Sequence, residues 1–339
     1  MRTSDFDYDL PEEYIAQRPI RPRDASRLLV LDRRTGEVEH RRFSELPDYL
    51  KSGDALVLNQ TRVLPARLAA HKLDTKGKAE ILLLQRQGPK RWLALVGGKG
   101  LSEGRRLQVK DGPTAIVERV LEGPRRILVF DEPISRQLEE IGSMPLPPYI
   151  HAPLQSPDEY QTTFAREIGS AAAPTAGLHF TPALLEDIEQ LGVEIVRVTL
   201  HVGMDTFAPV REEEPRRHSI HREWCRVTPK AAARLNQVRS EGGRVFAVGT
   251  TSVRTLETSI RSKEAGVFSP FEGATDLYIL PGFEIKAVDS LITNFHLPRS
   301  TLLMLVSAFD NRERILRIYE LAKEKGYRFY SFGDAMLIL

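Results

Sequence analysis

TPALLEDIEQLGVEIVRVTL, spanning Thr181–Leu200, has the grammar of a helix running into a strand. Thr181 supplies a capping hydroxyl, and Pro182 suits a first helical turn, where a missing N–H is no loss. Gly192 ends the helix and VEIVRVTL follows as a buried strand. The alternation continues downstream. Thr228-Pro229 opens another capped helix that Gly242-Gly243 closes, and RVFAVG from Arg244 is the next strand. SVRTLETSI from Ser252 is amphipathic at helical spacing, DLYIL and SLITNF have strand character, and Ser300 caps TLLMLVSAF. A last helix runs from Arg312 to Gly326, before the strand YRFYSF. Strand–helix alternation of this kind predicts an α/β sheet with helices laid on it.

Upstream the texture differs. RLLVLD from Arg27 and ALVLN from Ala55 are short buried strands that belong with the α/β part. Between them and the alternating half lie EILLLQ, RWLALV, RRLQV, TAIVERV and RRILVF, separated by glycine-containing turns, with no helix long enough to bridge parallel strands. Such spacing predicts a small antiparallel barrel. PLPPYI, Pro145–Ile150, then makes a stiff extended exit. The expected fold is a mixed α/β main domain, residues 1–66 and 150–339, with an all-β domain of residues 67–149 inserted into it.

The bulk composition narrows the class. A content of 41% hydrophobic and 28% charged residues is that of an ordinary globular protein. The longest apolar run, Leu302–Phe309, is too short to span a bilayer, and the acidic first residues carry no apolar signal core. One cysteine, Cys225, precludes an internal disulfide framework and fits a cytoplasmic protein. A net charge of +2 leaves any nucleic-acid surface to local clusters of arginine such as Arg105-Arg106 and Arg125-Arg126.

Ligands of α/β sheets bind beyond the carboxyl ends of the strands, and several predicted strands end in polar loops. VTL leads to His201, Asp205 and Thr206; FAVG leads to Thr250, Thr251, Ser252 and Arg254; LIT leads to Asn294, His296 and Ser300; RFYSF leads to Asp334. A fifth loop, GSAAAPTAGLHFT (Gly169–Thr181), brings small residues that let a ligand approach the backbone, with Thr175, Gly177 and His179 inside it. Asn59, Thr61 and Arg62 sit just past another strand end. The spacing of the Thr250 loop is not that of a P-loop, and no Rossmann glycine fingerprint follows any strand. His218, His221, Glu223 and Cys225 form the most metal-like group. In extended backbone, however, His218 points away from the other three, and no second cluster completes the four ligands of a zinc site. No metal is expected, and His218, His221 and Glu223 are assigned to substrate contact. His179, His201 and His296 are the imidazoles placed to exchange a proton near neutral pH.

NQTRVLPARL (Asn59–Leu68), MPLPPYI (Met144–Ile150), AAAPTAGLHF (Ala171–Phe180), TLHVG (Thr199–Gly203), AVGTTSVRTLE (Ala247–Glu257), TNFHLPRSTLLMLVSAF (Thr293–Phe309) and FGDAM (Phe332–Met336) together resemble the S-adenosylmethionine:tRNA ribosyltransferase-isomerase family of queuosine biosynthesis. The likeness spans nearly the whole chain in the family's order. It implies an α/β domain carrying an inserted β-barrel. It also implies transfer and isomerisation of the ribosyl part of S-adenosylmethionine onto 7-aminomethyl-7-deazaguanine at the wobble position of tRNA, giving epoxyqueuosine with release of adenine and methionine. S-adenosylmethionine is then a consumed substrate and no cofactor is expected. Partners are S-adenosylmethionine and the tRNA anticodon stem-loop, with no membrane, and the protein is expected to be a monomer. Under this reading His179 or His201 is the general base, and Asp205 or Thr206 holds the ribose. Arg254 with Thr250, Thr251 and Ser252 holds the methionine carboxylate or an RNA phosphate, and Asn294, His296 and Ser300 hold a base or sugar. Arg62, Arg105, Arg106, Arg125 and Arg126 are candidate RNA contacts. The rival readings are an S-adenosylmethionine-dependent RNA methyltransferase and a non-catalytic RNA-binding module.

Overall fold

The structure is a computed structural model that describes residues 1–203, 209–261 and 266–339. The chain divides into two compact units, one made of Met1–Thr61, Pro148–Glu167 and Ala173–Leu339, the other of Arg62–Pro147 with Ile168–Ala172.

A nine-stranded mixed sheet organises the first unit. Its order is Phe271–Thr275, Glu223–Val227, Glu194–Leu200, Ala55–Asn59, Val245–Val248, Ser290–Asn294, Ala335–Ile338, Arg27–Leu31 and Val38–Arg42. The four strands from Glu194–Leu200 to Ser290–Asn294 are mutually parallel, so their carboxyl ends share one rim. Ala335–Ile338 runs antiparallel to Ser290–Asn294, with Ala335 opposite Asn294, which brings the residues before Ala335 to that same rim.

Strand periodicity distributes the core over both faces. Leu29, Leu31, Val57, Val196, Val198, Ala247 and Leu291 pack against Leu235, Leu256, Leu303 and Ile318 from the helices Pro229–Ser240, Thr250–Arg261, Thr301–Val306 and Arg312–Glu324. Leu28, Val30, Leu56, Leu58, Phe246, Val248 and Ile292 meet Phe43, Phe180, Leu184 and Ile188 on the other face. The helix starts are fixed by their expected caps. Thr181 accepts from the Leu184 N–H at 3.2 Å, Thr228 from Ala231 at 3.2 Å, and Ser300 from Leu303 at 3.1 Å.

The second unit is a closed barrel of Arg125–Phe130, Arg91–Gly97, Lys78–Arg86, Arg67–Lys72, Arg106–Val109 and Thr114–Val120, all antiparallel to their neighbours. Closure removes the exposed sheet edges that an open meander would leave. Both the mixed α/β class and the barrel-like all-β part are therefore present.

Two predicted strands are displaced. DLYIL (Asp276–Leu280) is irregular, and the strand lies just before it at Phe271–Thr275, on the sheet edge, where alternation rather than an apolar run marks it. YRFYSF (Tyr327–Phe332) is also not a strand. Tyr330 adopts a left-handed φ of +69° that no strand accommodates, and the strand begins only at Ala335.

Candidate active site

The rim of the parallel strands carries a cleft with about 600 Å³ of open space, solvent at its mouth included. Thr175, Thr250, Thr251, Asn294, His296 and Ser300, all anticipated from the sequence, line it together with Val202 and Gly249. Asn59 welds the strand ends beneath. Its amide donates to the Leu200 carbonyl at 3.0 Å and to Thr251 Oγ1 at 3.2 Å, and accepts from the N–H groups of Leu200 at 3.0 Å and Thr61 at 3.2 Å. With every polar atom satisfied and 1% exposure, Asn59 is a structural clamp and not the ligand contact that its position after a strand implied.

The electrostatic character of the cleft is its most informative property. Among the described residues, no Asp, Glu, Lys or Arg lines it; the polar groups are hydroxyls and one amide. His296 is neutral too. Burial holds its imidazole down to about 3, and Nε2 meets Thr293 Oγ1 at 2.8 Å. The Tyr319 hydroxyl accepts from the His296 N–H at 3.1 Å and Tyr8 donates to its carbonyl, so the loop is held at both backbone groups. The described lining suits an uncharged ligand part rich in hydroxyls and ring nitrogens.

A second pocket is lined by His218, His221, Glu223 and Arg254 and shares Leu302 with the first. Here the charge is concentrated. Glu223 and Arg254 form an ion pair with side chains only 4% and 6% exposed. Glu223 also accepts from the Gly203 N–H at 2.9 Å, and Arg254 Nε donates to the Leu277 carbonyl at 3.0 Å. Arg254 Nη2 is buried with no hydrogen-bond partner, which leaves one N–H pair of the fork unspent. Thr251 and Arg254 sit one helical turn apart on Thr250–Arg261, so the neutral and charged pockets adjoin across about 5 Å of helix.

The metal-like group is spent on other partners. His218 Nδ1 meets Glu212 at 2.8 Å, and Cys225 is fully buried, its thiol pushed up to about 12 by desolvation. Among the described residues no three His, Cys, Asp or Glu side chains are arranged to hold a metal ion.

The two histidines proposed as base differ sharply. His179 ends the short 3-10 turn Thr175–His179 and is 4% exposed, stacked on Phe43 at 4.9 Å between ring centroids. Nδ1 meets Ser26 Oγ at 2.8 Å, Nε2 receives the Asn294 amide at 3.1 Å, and Asn294 Oδ1 in turn accepts from Thr175 at 3.1 Å. An amide N–H only donates, so Nε2 is the acceptor and Nδ1 carries the proton. Burial, aided by the Arg328 and Arg23 charges, holds this ring down to about 3. Its nitrogens are occupied and it does not line the main cleft. His201 is half-buried, stacked on Trp224 at 4.9 Å with planes 18° apart, and among the described residues only Nδ1 is engaged, by Thr61 Oγ1 at 2.9 Å; it does not line the main cleft either. Burial lowers its pKa, Glu167 opposes and Arg226 adds to that effect.

Other sequence-derived sites fall elsewhere. Gly177 is absent from the cleft wall; a side chain there would meet Phe164 at 2.7 Å, so the glycine serves packing. The Ser252 hydroxyl donates to the Val248 carbonyl at 2.7 Å and is fully buried. Ser300 Oγ is spent between the Leu297 carbonyl and its cap. Asp334 accepts from the N–H groups of Arg27 at 3.0 Å and Arg328 at 2.8 Å, which makes it a brace for its loop. Asp205 and Thr206 lie outside the described residues. In the barrel unit, Arg105 is paired with Asp74, and Arg126 donates to the carbonyls of Leu101, Gly123 and Arg125. Arg62 lies 3.6 Å from Glu139, Arg125 is half-buried, and Arg106 is exposed. The sequence missed Tyr149, Thr293, Tyr330 and Ser331 as cleft residues. Thr293 stands beside the chosen Asn294 and was findable; Tyr330 became visible only when the strand moved to Ala335.

A mixed sheet with a hydroxyl-lined cleft on its parallel rim, a charged pocket beside it and an inserted barrel is the architecture of an α/β protein with a small-molecule site at its strand ends. The chain belongs to the queuosine biosynthesis protein family, whose pattern it matches over residues 3–338. It is 54% identical to the S-adenosylmethionine:tRNA ribosyltransferase-isomerase of Symbiobacterium thermophilum and 52% identical to that of Desulfitobacterium hafniense, with 100% of both chains covered in each case. Among solved structures it is similar to the S-adenosylmethionine tRNA ribosyltransferase of Thermotoga maritima, at 42% identity and a TM-score of 0.59, covering 99% of this chain and 100% of that one. No described helix is long and apolar enough to cross a membrane.

Proposed function

We infer that this protein is an S-adenosylmethionine:tRNA ribosyltransferase-isomerase that builds epoxyqueuosine from 7-aminomethyl-7-deazaguanine in the tRNA anticodon, releasing adenine and methionine. The observation that carries the reading is the end-to-end match to the family, residues 3–338, by a chain with a ligand cleft on its sheet rim. S-adenosylmethionine is consumed, no resident cofactor enters, and the enzyme works as a cytoplasmic monomer.

The two pockets divide the substrate by charge. Adenosine is its neutral part, and the hydroxyls of Thr175, Thr250 and Thr251 with the Asn294 amide match the ribose diol. The methionine end is zwitterionic, and its carboxylate goes to the unspent Nη2 of Arg254, with Glu223 beside it for the ammonium. The 5′ carbon then lies between the pockets, next to the sulfonium that acidifies it. His201, although it lines neither pocket, is the base for that proton, because among the described residues only its Nδ1 is engaged and its lowered pKa keeps the ring neutral at pH 7. His179 acts through Asn294, fixing the amide that orients Thr175. The barrel arginines, with Arg106 the exposed one, contact tRNA phosphates.

Mass spectrometry of an anticodon stem-loop bearing 7-aminomethyl-7-deazaguanine, after incubation with protein and S-adenosylmethionine, tests this. The expected product carries the epoxycyclopentane unit, with adenine and methionine in equal amounts. A methylated stem-loop would instead indicate a methyltransferase. Binding without S-adenosylmethionine consumption would indicate an RNA-binding module.

A further inference from the structure

One cleft residue is neither spent on structure nor used in the mechanism. Tyr330 lines the neutral cleft at 5% exposure, and its hydroxyl is buried with no hydrogen-bond partner. Its neighbour Tyr149, whose ring centroid is 4.4 Å away, has its own hydroxyl satisfied by Ser331 Oγ at 2.8 Å. A buried phenol without a partner is a standing cost to the free protein.

The backbone adds a second cost. Tyr330 sits at a φ of +69°, a left-handed conformation that bulky L residues avoid. The surroundings enforce it. The Tyr330 N–H donates to the Phe295 carbonyl at 3.1 Å, and its own carbonyl accepts from Gly333 at 2.9 Å. Gly333 has no room for a side chain, since a Cβ there would lie 2.4 Å from the Arg328 carbonyl oxygen. Asp334 ties the end of the turn to the N–H groups of Arg27 and Arg328. Four fixed points thus hold an unfavourable conformation whose effect is to place one phenol in the cleft wall.

We propose that Tyr330 is the residue that recognises the adenine ring of the bound adenosyl group, its hydroxyl donating to a ring nitrogen while the Tyr149–Tyr330 wall packs on the base. The ligand class follows from the wall. Two aromatic rings, their planes 46° apart, offer an apolar corner, and among the described lining residues there is no charged side chain to favour the sulfonium and amino-acid parts. The sugar hydroxyls already have Thr and Asn partners, which leaves the base edge for the phenol. Burial raises the Tyr330 pKa well above the usual phenol range, so it is a neutral O–H donor throughout the working pH range. A donor aimed at a leaving base also strengthens its bond as negative charge builds on the departing ring.

This assignment rests on the reaction proposed above, and its test separates the two. In Tyr330→Phe, kcat/KM for S-adenosylmethionine should fall roughly 3- to 10-fold, the value of one neutral hydrogen bond. The KM for the stem-loop should not change, and the melting temperature should hold or rise, because the lost hydroxyl had no partner. Unaltered kinetics would overturn the proposal, and so would a loss confined to stem-loop KM, which would place the tRNA base in this cleft. With 1-deaza-, 3-deaza- and 7-deaza-adenosyl substrates, one analogue should show the same loss in the wild type and no further loss in Tyr330→Phe; additive losses for all three would overturn it. Calorimetric binding of adenosine supplies the independent readout. Adenosine affinity weakened in the variant, with no ribosyl transfer by the wild type, would sink the reaction and leave this contact standing.

Discussion

Acid should destabilise the main unit through His179, and the size of the effect can be worked from its surroundings. The ring is clamped between Ser26 and Asn294, stacked on Phe43, and faces the Arg23 and Arg328 charges. In the folded chain it stays neutral down to about 3, against the ordinary 6.5 that the unfolded chain retains. Between those values the unfolded state binds more protons than the folded one, so stability falls as pH drops through that window. The slope approaches about 1.4 kcal/mol per pH unit for one proton, and the accumulated loss from neutrality to about pH 5 is roughly 2 kcal/mol. Urea unfolding of wild type and His179→Gln across about pH 4.5 to 7.5 reads it out. Glutamine keeps a donor for Ser26 and an acceptor for Asn294 but cannot titrate. His296 is common to both proteins, and any fixed cost of the substitution leaves the slope untouched. The wild type should lose stability more steeply than the variant by about one proton's worth below pH 6.5. Parallel curves would refute the reasoning, since they would mean that the ring accepts a proton in place.

His201→Ala should lower kcat by roughly 10² to 10⁴ while stem-loop affinity and melting temperature hold; weakened RNA binding at normal kcat would reassign the residue. Glu223→Ala strands the buried Arg254 charge and should cost about 3–5 kcal/mol, seen in chemical denaturation. An unchanged midpoint would mean that Arg254 finds another anion. Arg106→Ala should reduce the slope of log affinity against log salt by up to about one. Arg105→Ala, whose side chain is held by Asp74, should change it less; equal effects would show that the Asp74 pair opens on RNA.

How much of the site was visible beforehand follows from what each residue does. Thr250, Thr251 and Asn294 were legible because the polar loop at the end of a parallel strand must face the rim, and Thr175 because it stands in the small-residue loop Gly169–Thr181. Ser252 and Asp334 looked equivalent in sequence, yet one is turned inward onto the Val248 carbonyl and the other is consumed by backbone N–H groups. His179 stood in the right loop, but the 3-10 turn Thr175–His179 carries its ring to the Phe43 side of the sheet. One residue's rotation around a turn separates a cleft group from a buried one, and no periodic pattern records it.

The sequence alone determined the elements and their class, because caps, glycine stops and apolar alternation act within a few residues along the chain. Thr181, Thr228 and Ser300 each cap the helix they were expected to start. Barrel closure, the separation of the described charged and uncharged pocket walls and the strained position of Tyr330 came from the tertiary structure. Each of these depends on groups far apart in sequence: Arg125–Phe130 closing on Arg91–Gly97, charges kept on the far side of Leu302, and Phe295 holding Tyr330. Local forces choose the elements; the burial and hydrogen-bond demands of distant partners choose which side chains are left for the ligand.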